Sequence, residues 1–407
     1  MAMNRVAIVG GGAAGLAAAV TAARLGACVT VLEHGDRVGR KLLSTGNGRC
    51  NFTHEAITAD KYFSDCPQTV EYIVNQYPAE RILEFMEEIG VSWVCRGGYY
   101  YPASNQAEAV LFCLRTACEE QKVQLRCGCE VSRITPFKGG FLVREGAKDN
   151  FYHRVILACG GQAAPFTGSD GSGYELARSL GHQICPVFPA LTGLTSEKSR
   201  LKGLAGIRAG ARAALYAEGR PVAEDSGEVQ FTDQALSGIV IFQLSHLAAE
   251  NLRAGRRTEI RLNFLPETSK KEAASLLRRR REQLGQRPVG EWGIGLIHRK
   301  LWERLVQSAG LRPERLAEEL TEDEFQRLCR AITSFTIPVK GCLGFDRAQV
   351  TAGGVSLTEV EQDTLESKLV PGLYLAGELL NVDGLCGGYN LHWAWASGMT
   401  AGEAAAL

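Results

Sequence analysis

Tyrosine, histidine and cysteine are the side chains whose types and placement in this sequence could do chemistry. Tyr99, Tyr100 and Tyr101 stand in a row, and Tyr389 and His392 lie close together near the C-terminus. A phenol or an imidazole held against a carbonyl compound can donate a proton or polarise the carbonyl, so Tyr101, Tyr389 and His392 are the candidate catalytic groups. Packing is the plainer role for each, because a buried tyrosine commonly places its ring and satisfies one hydroxyl. Cys50 and Cys386 raise the idea of a redox disulfide, but the chain has no C-x-x-C pair, which argues against that mechanism.

Such groups need a reactive partner, and the start of the chain is built to hold one. Arg5 to Val9 reads as a short apolar strand running into Gly10-Gly11-Gly12-Ala13-Ala14-Gly15 and an alanine-rich helix. Gly10 permits the tight bend, Gly12 lets the backbone approach a pyrophosphate, and Gly15 lets the helix pack closely on the strand. Free N–H groups at the helix N-terminus then face the anion. Cys28 to Leu32 forms a second strand ending at Glu33 and His34, where an acidic side chain accepts hydrogen bonds from an adenosine ribose. The plainer alternative is a βαβ unit with a glycine turn. Beyond it runs a glycine-rich, cationic loop with Arg40, Lys41, Leu42, Asn47, Gly48, Arg49, Cys50 and Asn51, long enough to lie along an extended cofactor.

Two later segments repeat the pattern of apolar strand followed by small residues. Val155 to Leu157 leads into Ala158-Cys159-Gly160-Gly161, expected beneath the adenosine half, and Leu369 to Ala376 leads into Gly377-Glu378, expected to return to the same crevice. A nicotinamide dehydrogenase does not need that third return, whereas a bulky isoalloxazine gains a second wall, so the pattern favours FAD. The final helix begins at Gly387-Gly388-Tyr389-Asn390, and its positive end is expected to point at the flavin N1 and C2 carbonyl. With no second glycine fingerprint, the flavin must be reduced by transiently bound NAD(P)H or by the substrate itself.

Composition narrows the partners. Basic and acidic residues balance at 45 each, so nothing in the overall field favours nucleic acid or an anionic membrane, and a small-molecule substrate is expected. The run Val6 to Val20 is explained as strand plus helix rather than a signal segment, and no stretch is apolar for long enough to span a bilayer. Thirteen cysteines without a secretion signal point to reduced thiols in a cytosol, and their spacing to no metal site. Arg278 to Arg281, beside Glu282, reads as the solvated face of a helix. The sequence sets no oligomeric state.

The expected elements are a helix over 70–89, an aromatic segment over 93–101, a helix over 107–119 and strands over 123–133 and 141–157. From about Leu191 the texture changes to short strand-like pieces up to Asn263, then to a charged helical stretch from Thr268 to Ile332. The fold class is therefore α/β. A Rossmann-like FAD-binding domain over 1–190 and 335–407 is interrupted by a β-rich, barrel-like domain over 191–267 carrying a helical subdomain over 268–334.

Four segments carry a resemblance: Arg40-Lys41 with Ser44 to Asn51, Val350 to Val355, and Gly384 to Leu391. Together they resemble the bacterial FAD-dependent oxidoreductases grouped as aminoacetone-oxidase-like, or BaiN-type, flavoproteins, over nearly the whole chain. The resemblance implies a glutathione-reductase-type FAD domain and FAD contacts at Gly12, Ala13, Ala14, Glu33, Lys41, Gly48, Arg49, Cys50, Asn51, Val131, Gly160, Gly377, Glu378, Asn390 and Leu391. Val131 enters as a backbone contact to adenine. The implied activity is hydride transfer from NAD(P)H through FAD to a small or steroid-like unsaturated ketone, of the 3-oxo bile acid kind. The alternatives are an amine or aminoacetone oxidase and a non-enzymatic flavin redox sensor or RNA-modification partner. Asn381 departs from the acidic residue common in relatives, and the Thr232 to Gly238 segment lacks their histidine after the threonine, both where substrate choice is set.

Overall fold

The computed structural model describes residues 4–407. The chain divides into two compact units, one made of residues up to Pro189 together with Ala348–Leu407, the other of Ala190–Arg347.

In the first unit the strand Arg5–Val9 lies between two parallel neighbours, Cys28–Leu32 and Arg154–Leu157. Leu373–Leu375 and Gln124–Arg126 complete a five-stranded parallel sheet at its two edges. The three central strands are largely Val, Ile and Leu because they are covered by the helices Ala13–Arg24 and Tyr389–Ala406 and by an antiparallel sheet of Val131–Phe137, Gly140–Glu145 and Lys148–Tyr152. From the central strand the chain turns first to one side and later to the other, which opens a crevice at the strand's C-terminal end, where Gly10 begins.

The helix Ala13–Arg24 and the final helix Tyr389–Ala406 pack against each other unusually closely, and glycine is the reason. A Cβ at Gly398 would lie 2.4 Å from the Ala14 carbonyl oxygen, and one at Gly402 would lie 2.6 Å from that of Ala18. The tail is thereby held on the first helix. Two further bonds tie it to the strand end: Trp393 Nε1 donates to Gly377 O at 3.1 Å and Gly377 N donates to Ser397 Oγ at 2.9 Å.

Several elements differ from expectation for local reasons. The helix expected over 70–89 is two helices, Pro67–Gln76 and Ala79–Glu88, because Pro78 cannot continue the first. The strand expected over 141–157 is three: Gly140–Glu145 and Lys148–Tyr152 form a hairpin turning at Gly146, which has φ +58°, and Arg154–Leu157 joins the parallel sheet. The aromatic segment is also a hairpin, Trp93–Arg96 with Tyr99–Pro102, turning on Gly97 and Gly98, both at positive φ.

The second unit is built on a seven-stranded sheet whose long strands are Arg208–Ala217 and Arg220–Phe231. Its two edge strands, Phe335–Val339 and Gly341–Cys342, are consecutive in the chain, so the sheet must curl towards itself. This corrects the boundary expected at residue 335: Phe335–Val339 pairs with Thr258–Asn263, and the chain re-enters the first unit at Ala348. Sequence reading also missed the helix Ile239–Arg253, whose Val240, Ile241, Leu244 and Ala248 are buried in this unit's own core. Four helices between Lys270 and Thr333 form the charged helical stretch.

Among the described residues no helix is long and apolar enough to cross a membrane, and no cluster of His, Cys, Asp or Glu is placed to hold a metal. None of the thirteen cysteines is in a disulfide.

Candidate flavin-binding site

A long cavity opens at the C-terminal end of the central strand, and its walls come from the head, middle and tail of the first unit. Gly10, Gly12, Ala13 and Ala14 form its floor. A Cβ at Gly10 would lie 2.4 Å from Ala158 O and one at Gly15 would lie 2.0 Å from Gly10 O, so these two glycines set the turn and the helix approach. A Cβ at Gly12 would meet nothing within 4 Å, because that position faces the open cavity. It is the one place in the turn where only a bound group would be displaced.

At one end Glu33, His34, Val131, Cys159 and Gly160 line the wall. Glu33 Oε2 accepts from Gly11 N at 2.8 Å and Oε1 from Gly35 N at 2.7 Å. Each oxygen keeps a second lone pair, so the carboxylate can still accept hydroxyls from a ribose. The segment Gly168-Ser169-Asp170 also lines this end, unforeseen in the sequence. Asp170 Oδ1 accepts from Ser172 N at 2.9 Å and from Ser172 Oγ at 2.6 Å. Burial pushes the Asp170 carboxyl up, but the Ser172 bonds, together with His34 and its own backbone N–H, hold the group below its usual range. The available signal was an aspartate two residues before a helix-opening serine. Burial, reinforced by Glu33 and Asp170, pushes the Cys159 thiol up to about 12, so it stays neutral.

Along the middle, Lys41 Nζ donates to Glu378 Oε2 at 2.6 Å, and Glu378 Oε1 accepts from Thr351 N at 2.8 Å. Thr351 Oγ1 in turn accepts from Gln162 N and Ala163 N, at 2.7 and 2.9 Å. One charged chain thus links the loop after the second strand, the 350–355 strand and the tail. Arg40 reaches across to donate to Phe166 O at 2.6 Å. At the far end Leu42, Thr45, Gln349, Val350, Val382, Asn390 and Leu391 close the cavity. Asn390 fixes the loop before the final helix, accepting from Gly384 N and donating to Gly384 O, both at 2.8 Å, so that the first turn of that helix borders the cavity.

A cavity lined by a bare glycine turn, the Glu33 carboxylate and the first turn of the final helix fits FAD. When bound, FAD supplies hydride transfer at the ring end of the cleft.

The model of the HI0933-like protein Rossmann domain matches residues 4–404. The chain belongs to this family. Its curated relatives include a 3-dehydro-bile acid delta(4,6)-reductase of Clostridium scindens, 42% identical over 406 residues that cover 99% of each chain. A ribosomal RNA dihydrouridine synthase of Escherichia coli is 28% identical over 393 residues, 96% of this chain and 95% of the relative. In fold the chain is similar to 3-ketosteroid delta1-dehydrogenase from Sterolibacterium denitrificans, with a TM-score of 0.52 at 13% identity, covering 99% of this chain and 100% of the other. It is also similar to 3-ketosteroid-delta4-(5alpha)-dehydrogenase from Rhodococcus jostii, with a TM-score of 0.50 at 16% identity, covering 99% and 97%. The first unit is thus the Rossmann-like FAD-binding domain of an HI0933-like oxidoreductase.

Within this HI0933-like chain several expected site residues stand elsewhere. Gly15 and Gly161 face protein: a Cβ at Gly161 would meet Thr351 Oγ1 at 2.4 Å. Asn47, Gly48, Arg49, Cys50, Asn51 and Gly388 lie just outside the cavity wall, although Asn51 Oδ1 is buried with no hydrogen-bond partner beside Gly388. Cys50 is fully buried and its thiol is pushed up to about 12, which removes it as a redox thiolate.

The three catalytic candidates need correction, because none lines the cavity. Asn390, Leu391 and Ala394 form the cavity face of the final helix, and at about 100° per residue His392 points to the opposite side. There it is completely buried, its Nδ1 lies 2.7 Å from Thr53 Oγ1, and desolvation lowers its pKa to about 3. An imidazole so buried and away from the cavity stays neutral at neutral pH and serves packing. Tyr389 stacks on His54 with ring centroids 5.3 Å apart and meets Tyr62 edge-on at 5.9 Å, also as a packed ring. Tyr101 carries two guanidinium groups on its ring.

Proposed function

We propose that this protein is an FAD-dependent reductase that saturates a carbon–carbon double bond conjugated with a carbonyl, in a small or steroid-like ketone, with NAD(P)H as the transient electron donor. The observation that carries this reading is the 42% identity, spanning 99% of both chains, to a 3-dehydro-bile acid delta(4,6)-reductase. The chain's own residues divide the work. Glu33 and the Gly12 turn anchor the cofactor, and the Lys41–Glu378 pair ties the cleft walls together. The first turn of the final helix favours negative charge at the ring end, as a hydride donor requires. No second dinucleotide fingerprint is present in the sequence, so the donor visits rather than resides.

The relatives named as ribosomal RNA dihydrouridine synthases favour a second reading. A delta(4,6)-reductase and a dihydrouridine synthase are named for the same kind of step, saturation of a double bond conjugated with a carbonyl. The substrates differ, and charge separates them. Lys and Arg balance Asp and Glu at 45 each. The basic run is also largely committed within the protein: Arg278 pairs with Glu322, Arg280 Nε donates to Trp292 O at 2.9 Å, and Arg281 lies over the Phe325 ring. These features favour the small molecule.

Anaerobic mixing tests the proposal. NADPH or NADH should bleach the yellow protein, and a 3-oxo-4-ene steroid should restore the colour with a saturated product. Bleaching by aminoacetone or another amine, and none by either nicotinamide, would overturn it in favour of an oxidase.

A further inference from the structure

Two charges that do not line the cavity, Arg49 and Arg96, flank one aromatic ring. Thr45 lines the cavity, and Cys50 N donates back to Thr45 O at 3.0 Å, closing a loop that presents Arg49. Phe52 N donates to Tyr100 O at 3.0 Å, and Thr53–His54 pairs with the Tyr99–Pro102 strand, which brings Tyr101 next to that loop. The Arg49 guanidinium carbon stands 5.5 Å from the Tyr101 ring centroid and the Arg96 guanidinium carbon 5.9 Å from the same centroid. Both arginines are exposed, and each makes only a neutral hydrogen bond besides: Arg49 Nε to Gly46 O at 3.1 Å and Arg96 Nη1 to Asn105 Oδ1 at 3.1 Å.

Several of the chain's arginines pair with carboxylates, as in Arg126–Glu145, Arg144–Asp149 and Arg278–Glu322. Among the described residues neither Arg49 nor Arg96 has such a partner. Two like charges share one ring, with most of their fixed N–H donors unspent. A planar anion bridging both would relieve the repulsion and accept several of those donors. The aromatic face meanwhile limits where the guanidinium groups can go.

We propose that Arg49 and Arg96, steadied by Tyr101, clamp a carboxylate carried by the substrate, so that the protein selects carboxylated unsaturated ketones over neutral ones. This rests on the reductase reading given above, because that reading makes the neighbouring cavity end the reacting end. It also gives Tyr101 a positioning role in place of the catalytic one expected from sequence.

The probes are a 3-oxo-4-ene steroid carboxylic acid and its methyl ester, titrated into the oxidised FAD-loaded protein and read by equilibrium dialysis, which needs no turnover. The acid should bind about tenfold tighter than the ester, with the preference shrinking as salt rises. Arg96→Gln should erase the preference while leaving ester affinity and flavin content unchanged, and Arg96→Lys should restore part of it. Equal affinity for acid and ester, or an equal loss of both in Arg96→Gln, would overturn the proposal. So would an Arg96→Gln defect confined to NADPH as against NADH, since the clamped anion would then be the donor's phosphate. If neither compound reoxidises the reduced flavin yet the acid preference and its loss persist, the clamp stands and the reductase reading falls.

Discussion

Glu33 shows how one side chain can be legible in sequence and still do more than sequence implies. Its place after the second strand marks it as a ribose acceptor, but in the structure it also holds Gly11 N and Gly35 N, so it shapes the turn it serves. Glu33→Ala should therefore weaken FAD binding by about 1.5–3 kcal/mol, the range for hydrogen bonds to a charged group. A titration of apoprotein with FAD checks this, and an unchanged Kd would contradict it. His392 teaches the reverse: the sequence shows its type but not the side of the helix it occupies. Its pKa is depressed to about 3 in the fold, against an ordinary value of 6.5, so the unfolded chain binds the proton more readily. Stability is then fully present above pH 6.5 and falls as pH drops towards 3, by roughly 2 kcal/mol at pH 5. His392→Gln should flatten that acid limb in denaturant melts, and an identical limb in the variant would assign it to other groups. Tyr101 and Tyr389 were misread for the same reason, since neither ring faces the cavity.

At the scale of elements, glycine spacing was the readable signal and breakers set the boundaries. The strand–turn–helix at the head and the returns at Ala158 and Gly377 stand where their apolar runs place them. The 70–89 helix was misread because its apolar spacing runs on through Pro78, and the 141–157 strand because a two-residue turn at Gly146 is short enough to pass for part of it. The glycine turn can be dissected by a contrast. Gly12→Ala should leave apoprotein stability within about 0.5 kcal/mol, because its Cβ enters open space, yet impair FAD binding. Gly15→Ala, with a Cβ 2.0 Å from Gly10 O, should cost about 2 kcal/mol or more of stability. Thermal melts of both apoproteins check the pair; equal destabilisation would mean that Gly12 does not face the cofactor. Gly398→Val should be at least as damaging as Gly15→Ala, since the tail helix could no longer approach Ala14.

At the scale of the whole molecule, the α/β class was readable, while the point of return to the first unit was not. Phe335 begins an apolar strand like those of the parallel sheet, and only its pairing with Thr258–Asn263 shows that it belongs to the other unit. Charge balance also acts at this scale. Affinity for a ribosomal RNA fragment should stay in the non-specific range of about 10⁻⁴ to 10⁻⁶ M at physiological salt. A nanomolar, sequence-dependent Kd would move the substrate to RNA. The central claim is that separated segments of the first unit grip one cofactor from adenosine to flavin ring, and comparing FAD with FMN tests it most directly. Calorimetric titration of apoprotein should give one FAD per chain and FMN binding weaker by at least about a hundredfold, because FMN leaves Glu33, Val131 and Cys159 without a ligand. Equal affinity for the two, or FAD binding at any other stoichiometry, would contradict the account.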